Sequence, residues 1–439
     1  MPGELRRTLR SGDLTLLVLG NVIGSGIFLV PSAVLSQSGT VGVAMAVWVV
    51  GGVLSLFGAL TYGELGSMDR SPGGLYAYIR DAWGPLAAFL YGWTLFFVIG
   101  TGTVATLAVA TSNYMTQFVP LCALGRKAVS VGLIGVMAAL NVMGTRRSAS
   151  VQNAATWIKV AAIVVMGILL IAGGGGGAGA GPVWPARLDA SLLSAAGTAM
   201  IAVLWAYEGW QYVTFAAGET VEPQRTLPRS IALGTASLIG LYLLANIAYL
   251  SALGPERVAA SERVAGEATA AVLGPTAGGI IALAIMISMF SAAHSTVLTA
   301  PRAFFAMAED GVFFRRLAEV HPRFGTPAFA VITSCAWSAV LAMTGTFEQL
   351  LTYVVFTGWI FYGLGGASVF VLRRTRADAE RPFRVPGYPV TPALFVLSAA
   401  AIVGNALFTQ PVQGLIGLGV VSLGAPAFFA WRRRSARSS

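Results

Sequence analysis

Charged residues are scarce in this 439-residue chain, because Asp, Glu, Lys and Arg together make up only 10% of it. A soluble domain of ordinary composition carries about 25% charged residues, since its surface faces water. Here hydrophobic residues reach 56%, and the mean hydropathy is +0.74. The shortage of charge therefore excludes a water-soluble globular fold and indicates a protein whose surface faces lipid.

Histidine and cysteine are nearly absent as well, with two residues of each: His294, His321, Cys122 and Cys335. Two cysteines cannot form a disulfide framework, and these residues lack the spacing of a metal site. The chain has no His-Glu-x-x-His and no Gly-x-Ser-x-Gly motif. A membrane enzyme would need such clustered groups, so we expect a protein that is not an enzyme and that binds no metal or other cofactor.

The hydrophobic residues form blocks of roughly 18–28 residues, long enough to cross a hydrocarbon layer about 30 Å thick. Segments in lipid must satisfy their own backbone hydrogen bonds, which leaves helices or a closed barrel. A barrel would show alternating segments of about ten residues, and this pattern is missing here. Twelve helical spans are predicted, at residues 13–37, 41–68, 84–113, 128–143, 151–173, 190–218, 229–253, 274–307, 327–344, 348–372, 389–408 and 412–431. The loop at 254–273 is predicted to form a short surface helix.

The net charge of +10 comes from basic residues scattered between these spans, which argues against a nucleic-acid-binding patch. With the N-terminus inside, 22 of the 28 Lys and Arg residues fall on the inner side, five fall outside, and Lys159 lies within a span. Basic residues are enriched in cytoplasmic loops. The sequence therefore predicts a multi-pass protein of the cell membrane with both termini in the cytoplasm.

Two of the spans contain sequence that an ordinary membrane helix would not contain. The first span has three glycines and a serine within residues 20–28, and the sixth has an acid and a glycine within residues 204–210. Glycine permits many backbone angles, and non-helical backbone at this depth is tolerated where it lines a cavity or is buried in protein. Interruptions at matching positions in two repeats indicate a transporter binding site. The alternative is that the small residues only permit close helix packing.

Broken helices supply the two kinds of group that a zwitterion needs. A helix that starts near Gly26 directs free N–H groups and the positive end of its dipole at an anion such as a carboxylate. Freed carbonyls at Val22, Trp205 and Glu208 could accept hydrogen bonds from an ammonium group. The pattern thus favours a small zwitterionic substrate, namely an amino acid.

Several segments, taken in order, resemble the amino acid–polyamine–organocation superfamily and, within it, the L-type amino acid transporters. The resemblance runs from residue 13 to about residue 395. Its segments are Gly20–Phe28, Tyr62–Leu65, Pro72–Tyr78, Trp205–Trp210, Glu219–Arg229, Ala308–Gly311, His321–Pro322 with Thr326–Pro327, and Arg381–Pro389. Any one of them is weak, but the ordered set is specific.

The resemblance implies an all-α LeuT-type 5+5 inverted repeat with broken helices 1 and 6, working by alternating access and often by exchange. Residues 1–372 would form this core, with helices 1–10, and residues 373–439 would add helices 11 and 12 and a short basic tail within a single membrane domain. The predicted substrate contacts are Gly24, Ser25 and Gly26 for the carboxylate, and Val22, Trp205 and Glu208 for the amino group. Trp205 is the predicted gate.

Lys159 resembles the family lysine whose ammonium occupies the place that sodium takes in related symporters. An ammonium has three donors, so it can bridge carbonyls of the unwound first span and a hydroxyl on the eighth span, for which Ser288 and Ser291 are the candidates. The alternative is a lysine whose side chain extends to the membrane interface. A charge in a span is costly and marks function by default.

Three further polar residues have two readings each. Glu208 either anchors the broken helix or recognises a cationic substrate or a proton. His294 is either a satisfied core histidine or part of a proton relay, with the core role favoured. Glu64 is expected to pair with a nearby arginine instead of forming a gate.

We therefore predict a sodium-independent transporter of small neutral L-amino acids. The alternatives are a proton-coupled symporter, an exchanger of cationic amino acids or polyamines, and a transporter-like amino acid sensor. Eukaryotic members of the family have a loop cysteine, near the position of Cys122, that links to a heavy-chain partner. The residues around Cys122 do not match that pattern, so no such partner is expected.

Overall fold

The computed structural model describes residues 7–68, 73–174, 182–185, 187, 190–409 and 411–438. The first six residues of the predicted cytoplasmic N-terminus, and Pro72 of the Pro72–Tyr78 segment, lie outside the described residues. The α-helices are α1 (Ser11–Val22), α2 (Gly26–Ser38), α3 (Val41–Met68), α4 (Leu75–Trp83), α5 (Pro85–Thr94), α6 (Gly100–Met115), α7 (Ala123–Val142), α8 (Thr145–Gly173), α9 (Ala190–Ala206), α10 (Pro223–Ala260), α11 (Val264–Leu273), α12 (Pro275–Thr299), α13 (Pro301–Glu309), α14 (Ala328–Thr344), α15 (Phe347–Thr375), α16 (Val390–Thr409) and α17 (Pro411–Ser438).

Shorter helical segments complete the fold. A π-helical segment, Leu95–Ile99, joins α5 to α6, and 3₁₀ helices occupy Trp210–Glu219 and Arg315–Ala318. The predicted surface helix in the 254–273 loop is present as α11.

Within the described residues, ten helices are long and apolar enough to cross a membrane, and the bent pair α1–α2 brings the number to eleven. The ninth predicted span corresponds to α14, an apolar helix of 17 residues. The all-helical, polytopic membrane fold is thus confirmed, whereas the exact number of twelve spans stays a prediction.

Two span boundaries differ from the prediction for identifiable reasons. The seventh span was predicted to begin at residue 229, but α10 already begins at Pro223. Proline at the first helical position costs nothing, because the N–H that it lacks would be unpaired there. At the other end of α10, Gly254 has φ 75°, so the helix kinks beyond the membrane span. The eighth predicted span is divided between α12 and α13, with Pro301 at the junction.

The first span is broken as predicted. Helix α1 ends at Val22, α2 begins at Gly26, and the two are bent by 48°. The N–H of Ile23 still donates to the carbonyl of Leu19, but the N–H of Gly24 turns back to the carbonyl of Val22 at 2.8 Å. This tight turn ends the α1 hydrogen-bond ladder in the middle of the bundle.

The sixth span is broken as well. Helix α9 ends at Ala206, three turn residues follow, and the chain continues as the 3₁₀ helix that begins at Trp210. Gly209 has φ 126°, which side chains of L-amino acids rarely adopt. The break therefore depends on a glycine at this position.

Polar contacts join the helices at one end of the bundle. We call this end the basic face and define it by Arg80, Arg302 and Arg373. The buried guanidinium of Arg302 pairs with Glu219 at 2.6 Å. Arg373 donates two hydrogen bonds to Glu64, at 2.6 and 2.8 Å. Glu64 thus has an arginine partner, as the sequence suggested.

A second cluster on the basic face joins α4 to the end of α13. Arg80 donates to the carboxylate of Asp310 at 2.8 Å, and so does the hydroxyl of Tyr76, also at 2.8 Å. Burial, together with the charge of Asp310, raises the pKa of Tyr76, so this hydroxyl stays protonated and remains a donor.

The N-terminal segment closes the same face. The N–H groups of Thr8 and Leu9 both donate to the carbonyl of Glu219, at 2.9 and 3.0 Å, and the N–H of Val221 donates to the carbonyl of Leu9 at 2.9 Å. The chain ahead of α1 is therefore attached to the end of the broken sixth span.

Candidate functional site

The two helix breaks lie directly against each other. A Cβ at Gly26 would come within 2.9 Å of the Cα of Ala206, and a Cβ at Gly209 would come within 3.0 Å of the backbone of Asn21. Both distances are shorter than ordinary van der Waals contacts. The glycines therefore have a second role besides backbone freedom, which is to let the two interrupted chains approach.

The hydroxyl of Tyr242, on α10, reaches both breaks. It lies 3.2 Å from the carbonyl of Val22 and 3.0 Å from that of Ala206, and its ring is fully buried against Trp48 and Tyr207. The sequence did not indicate this residue, because it is one of twelve tyrosines and no motif surrounds it.

A cavity opens where the breaks meet, and we call it the central cavity. The centre of a water molecule can occupy about 70 Å³ of it, which is room for a few waters or a small solute. The six predicted substrate contacts all line it: Val22, Gly24, Ser25, Gly26, Trp205 and Glu208. Further lining residues come from spans three, eight and ten, whose contributions the sequence left unassigned: Thr103, Thr106, Leu107, Ala292, Thr296 and Val354.

Hydrogen-bond donors gather at the start of α2. The first amides of a helix have no acceptor within it, and α2 begins at Gly26 on the cavity wall. The hydroxyl of Ser25 is buried and has no hydrogen-bond partner among the described residues. The N–H of Gly24, in contrast, is already bonded to Val22. The N–H of Phe28 donates to the carbonyl of Ser25 at 3.1 Å, so the donors that remain for an anion are Ser25 and the amides of α2 ahead of Phe28.

Two of the predicted acceptor carbonyls already hold protein donors. The carbonyl of Val22 accepts from Gly24 and Tyr242, and that of Trp205 accepts from the N–H of Glu208 at 3.0 Å. The side chain of Glu208 is different. Its Oε1 accepts from the hydroxyl of Tyr362 at 2.8 Å, while its buried Oε2 has no partner among the described residues. The cavity wall thus offers two buried side-chain acceptor oxygens without a partner among the described residues, Oε2 of Glu208 and Oδ1 of Asn21.

Trp205 lies half-buried on the cavity wall, where its ring faces Gly26. A Cβ at Gly26 would meet the ring at 3.6 Å. An indole that borders both the cavity and the start of α2 is placed where a gate would have to move.

Lys159 is 1% exposed and directs its ammonium at the first break, so it does not extend to the membrane interface. Its Nζ donates to the carbonyls of Gly20 and Ile23 at 2.8 and 2.7 Å. The hydroxyl of Ser288 donates to the carbonyls of Ile23 and Gly24 at 2.9 and 3.1 Å. Ammonium and hydroxyl thus share the carbonyl of Ile23, and together they satisfy the backbone that the break exposes.

Ser291, the other candidate hydroxyl, lies in a neighbouring network and not with Lys159. Its Oγ accepts from Nε2 of Gln152 at 3.0 Å. The Oε1 of Gln152 lies 3.2 Å from Nδ1 of His294, and Nε2 of His294 lies 3.2 Å from the hydroxyl of Ser148. Both ring nitrogens of His294 are therefore partnered inside the protein, which agrees with its favoured role as a core histidine.

The sequence did not indicate Gln152, and only the structure shows what its side chain contacts. A Cβ at Gly20 would come within 2.1 Å of Nε2 of Gln152, so the first glycine of the Gly20–Phe28 segment makes room for this amide.

Across the described residues, no group of three or more His, Cys, Asp or Glu side chains could hold a metal ion.

Comparisons with known proteins identify the family of the chain. The sequence model of the family described as Amino acid permease matches residues 12–417. The chain is 32% identical to the Large neutral amino acids transporter small subunit 2 of Mus musculus, over 94% of this chain and 78% of the relative. It is 29% identical to the Serine/threonine exchanger SteT of Bacillus subtilis (96% and 95%), and 31% identical to the human Cystine/glutamate transporter (94% and 83%).

These relatives are named as transporters and exchangers of amino acids, and the match covers both helix breaks, Lys159 and every residue of the central cavity. The chain belongs to the amino acid permease family of the amino acid–polyamine–organocation superfamily.

Proposed function

We propose that the protein is a sodium-independent transporter of small neutral L-amino acids that works by alternating access and exchanges one amino acid for another. The observation that carries the proposal is the meeting of two helix breaks around a small cavity, with donors at one break and acceptors at the other. The relatives are transporters, which supports a role in transport and not in catalysis.

The polarity of the cavity suits a zwitterion. Ser25 and the first turn of α2 supply donors and a positive dipole end for a carboxylate. On the other side, the carbonyl of Trp205 accepts one protein hydrogen bond and retains a second lone pair, and Glu208 adds a carboxylate with one unpartnered oxygen. The carbonyl of Val22 already accepts from Gly24 and Tyr242. The small free volume and the bulk of Trp205 favour a small substrate.

Lys159 supports independence from sodium. Sodium is a hard cation that binds oxygen ligands, and the oxygens exposed by the first break are those of Gly20, Ile23 and Gly24. An ammonium and a hydroxyl already satisfy these oxygens. We propose that the fixed charge of Lys159 stabilises the break in place of a bound ion.

We further propose that the basic face is cytoplasmic and that the protein resides in the cell membrane. The support is the excess of Lys and Arg on the predicted side of the termini. On that face, the link from Leu9 to Glu219 and the pair of Glu219 with Arg302 would have to open when substrate leaves toward the cytoplasm. The absence of a heavy-chain partner at Cys122 stays a prediction.

The decisive experiment is counterflow in proteoliposomes. Vesicles preloaded with unlabelled alanine, serine or leucine are diluted into labelled alanine, with and without sodium and with and without a pH gradient. We expect labelled alanine to accumulate only in preloaded vesicles, and we expect the amount accumulated to be the same with and without sodium. Strict dependence on sodium would refute the role of Lys159. Binding of alanine without any counterflow would indicate a sensor, and dependence on a pH gradient would indicate a symporter.

One observation favours a second candidate, the exchange of cationic amino acids. The buried and unpartnered Oε2 of Glu208 could accept a hydrogen bond from the side chain of such a substrate. Excess arginine or lysine should then inhibit alanine counterflow strongly, and Glu208→Gln should abolish that inhibition while alanine transport persists. If Glu208→Gln abolishes alanine transport and arginine never competes, then Glu208 only anchors the broken helix through Tyr362.

A further inference from the structure

A second cavity lies at the end of the bundle opposite the basic face, and we call it the peripheral cavity. It is bounded by the end of α6, by α11 and by the start of α12. The centre of a water molecule can occupy about 350 Å³ of it, which is five times the corresponding volume of the central cavity. The peripheral cavity is thus large enough to admit an amino acid together with some of its hydration water.

The lining of this cavity contains both signs of charge. Arg263, at the start of α11, and Glu267, one turn further on, both line the cavity. Among the described residues, neither side chain takes part in an ion pair within 4.0 Å. Tyr114 and Gln117, on the opposite wall, add a hydroxyl and an amide, and the Tyr114 hydroxyl is a buried group without a partner. A cation, an anion and neutral hydrogen-bonding groups therefore line one space, and the two charges form no ion pair with each other.

The two cavities lie along the same seam between helices. On α12, Ile285 lines the peripheral cavity and Ala292 lines the central one. On α6, which packs along α12, Tyr114 lines the peripheral cavity and Leu107 lines the central one. The two residues of each pair are seven positions apart, which is about two turns, or about 10 Å, along a helix. They therefore lie on the same face of their helix, and that face borders both cavities. A solute in the peripheral cavity is therefore close to the central site and aligned with it.

We infer that the peripheral cavity is a second, weaker site for free amino acids, in which Arg263 receives the carboxylate and Glu267 receives the ammonium of a substrate on its way to the central cavity. This inference rests on the proposed function. The site is weak because Arg263 is exposed and Glu267 half-buried, and exposed charges are screened by water and salt. Its role is to concentrate zwitterions near the seam, and its chemistry is set by the α-amino and α-carboxyl groups that all such substrates share.

The experiment compares charge removal inside and outside the cavity. Arg263→Gln and Glu267→Gln remove charges from the lining. Arg257→Gln and Glu262→Gln are the matched controls, because they remove exposed charges of the same signs from the same end of the bundle but do not line the cavity. Initial rates of alanine uptake into preloaded proteoliposomes are measured for all four variants over a range of alanine and salt concentrations.

We expect the two lining variants to raise KM about two- to fivefold each, as is typical of an exposed charge contact, with Vmax unchanged and with the effect fading at high salt. The two controls should stay within error of the wild type. Gly266→Phe provides an independent test, since a side chain at Gly266 enters open space on the cavity wall. Filling the cavity in this way should raise KM in the same direction.

The outcomes separate this inference from the proposed function. If wild-type protein shows no counterflow, the proposed function fails first. If wild-type counterflow is intact and the lining variants, the control variants and Gly266→Phe all have the wild-type KM, then the peripheral cavity is only a hydrated space between helices. If controls and lining variants raise KM equally, the effect is general electrostatic attraction and not a site.

Discussion

The hydroxyl of Tyr242 bridges the two helix breaks, and its removal tests whether the breaks act as a unit. Tyr242→Phe deletes one oxygen and keeps the ring packed against Trp48 and Tyr207. The carbonyls of Val22 and Ala206 then lose the donor at 3.2 and 3.0 Å that they share. No cavity larger than one atom is created, so any change in transport arises from this hydrogen bond.

The magnitude follows from the state of the two carbonyls. A buried polar group left without its partner costs about 1–3 kcal/mol. Val22 retains the N–H of Gly24 as a donor, so the lower end of that range applies, and about 1–2 kcal/mol corresponds to a factor of about 5 to 30. We expect Tyr242→Phe to lower Vmax/KM of alanine exchange by that factor, while the amount of folded protein in detergent stays close to that of the wild type.

Tyr249→Phe is the matched control, because Tyr249 lies two turns further along the same helix, is fully buried, and has a hydroxyl without a partner among the described residues. Its removal should leave exchange unchanged or raise stability slightly. Both variants are purified, compared by size-exclusion profile, and assayed for initial exchange rates in proteoliposomes. Equal rates for the two variants would refute the argument that the Tyr242 hydroxyl couples the breaks.

The remaining predictions concern the backbone of the breaks and the closure of the basic face. Lys159→Met removes two charge-assisted hydrogen bonds, each contributing about 1.5–3 kcal/mol, but it also removes the cost of burying a charge. Exchange should therefore fall at least about tenfold while thermal stability changes little, and wild-type exchange by this variant would contradict the role of its ammonium. Gly209→Ala forces a side chain into a backbone conformation with φ 126° and against Asn21, so folded yield and exchange should both collapse, whereas Gly197→Ala, which meets no atom within 4 Å, should be neutral. Glu219→Gln leaves the buried charge of Arg302 uncompensated, at a cost of about 3–5 kcal/mol, and should lower the unfolding temperature in detergent. The double variant Glu219→Gln with Arg302→Gln should recover part of that loss, and a double variant less stable than the single one would argue against the pair.

Much of the architecture was predictable because lipid imposes simple rules on a chain. A helix must be long and apolar enough to cross the membrane, so the spans appear as hydrophobic blocks in the sequence. The breaks were predictable as well, since Gly24, Gly26 and Gly209 stand where a membrane helix has no need of glycine. Lys159 could be predicted because a lysine within a span is conspicuous.

Other parts of the site left no local signal. Tyr242 and Tyr362 reach the breaks from α10 and α15, and a tyrosine in a hydrophobic span has many ordinary packing roles. Gln152 is identified only by its contacts in the folded chain, with Ser291, His294 and Gly20. Ser288 and Ser291 are only three residues apart, so they are neighbours on the surface of α12. The sequence cannot tell which of them contacts the first break, because that depends on how α12 is rotated in the bundle.

The sequence by itself determined that the chain is helical, where the two spans are interrupted, and which buried cation stands close to them. These features follow from the composition of single segments and from the cost of polar groups in lipid. Only the tertiary structure decided that the two breaks touch, that the carbonyls of Val22 and Trp205 already have partners, and that one oxygen of Glu208 has none among the described residues. Those facts depend on contacts between residues far apart in the chain, and neither composition nor periodicity records such contacts.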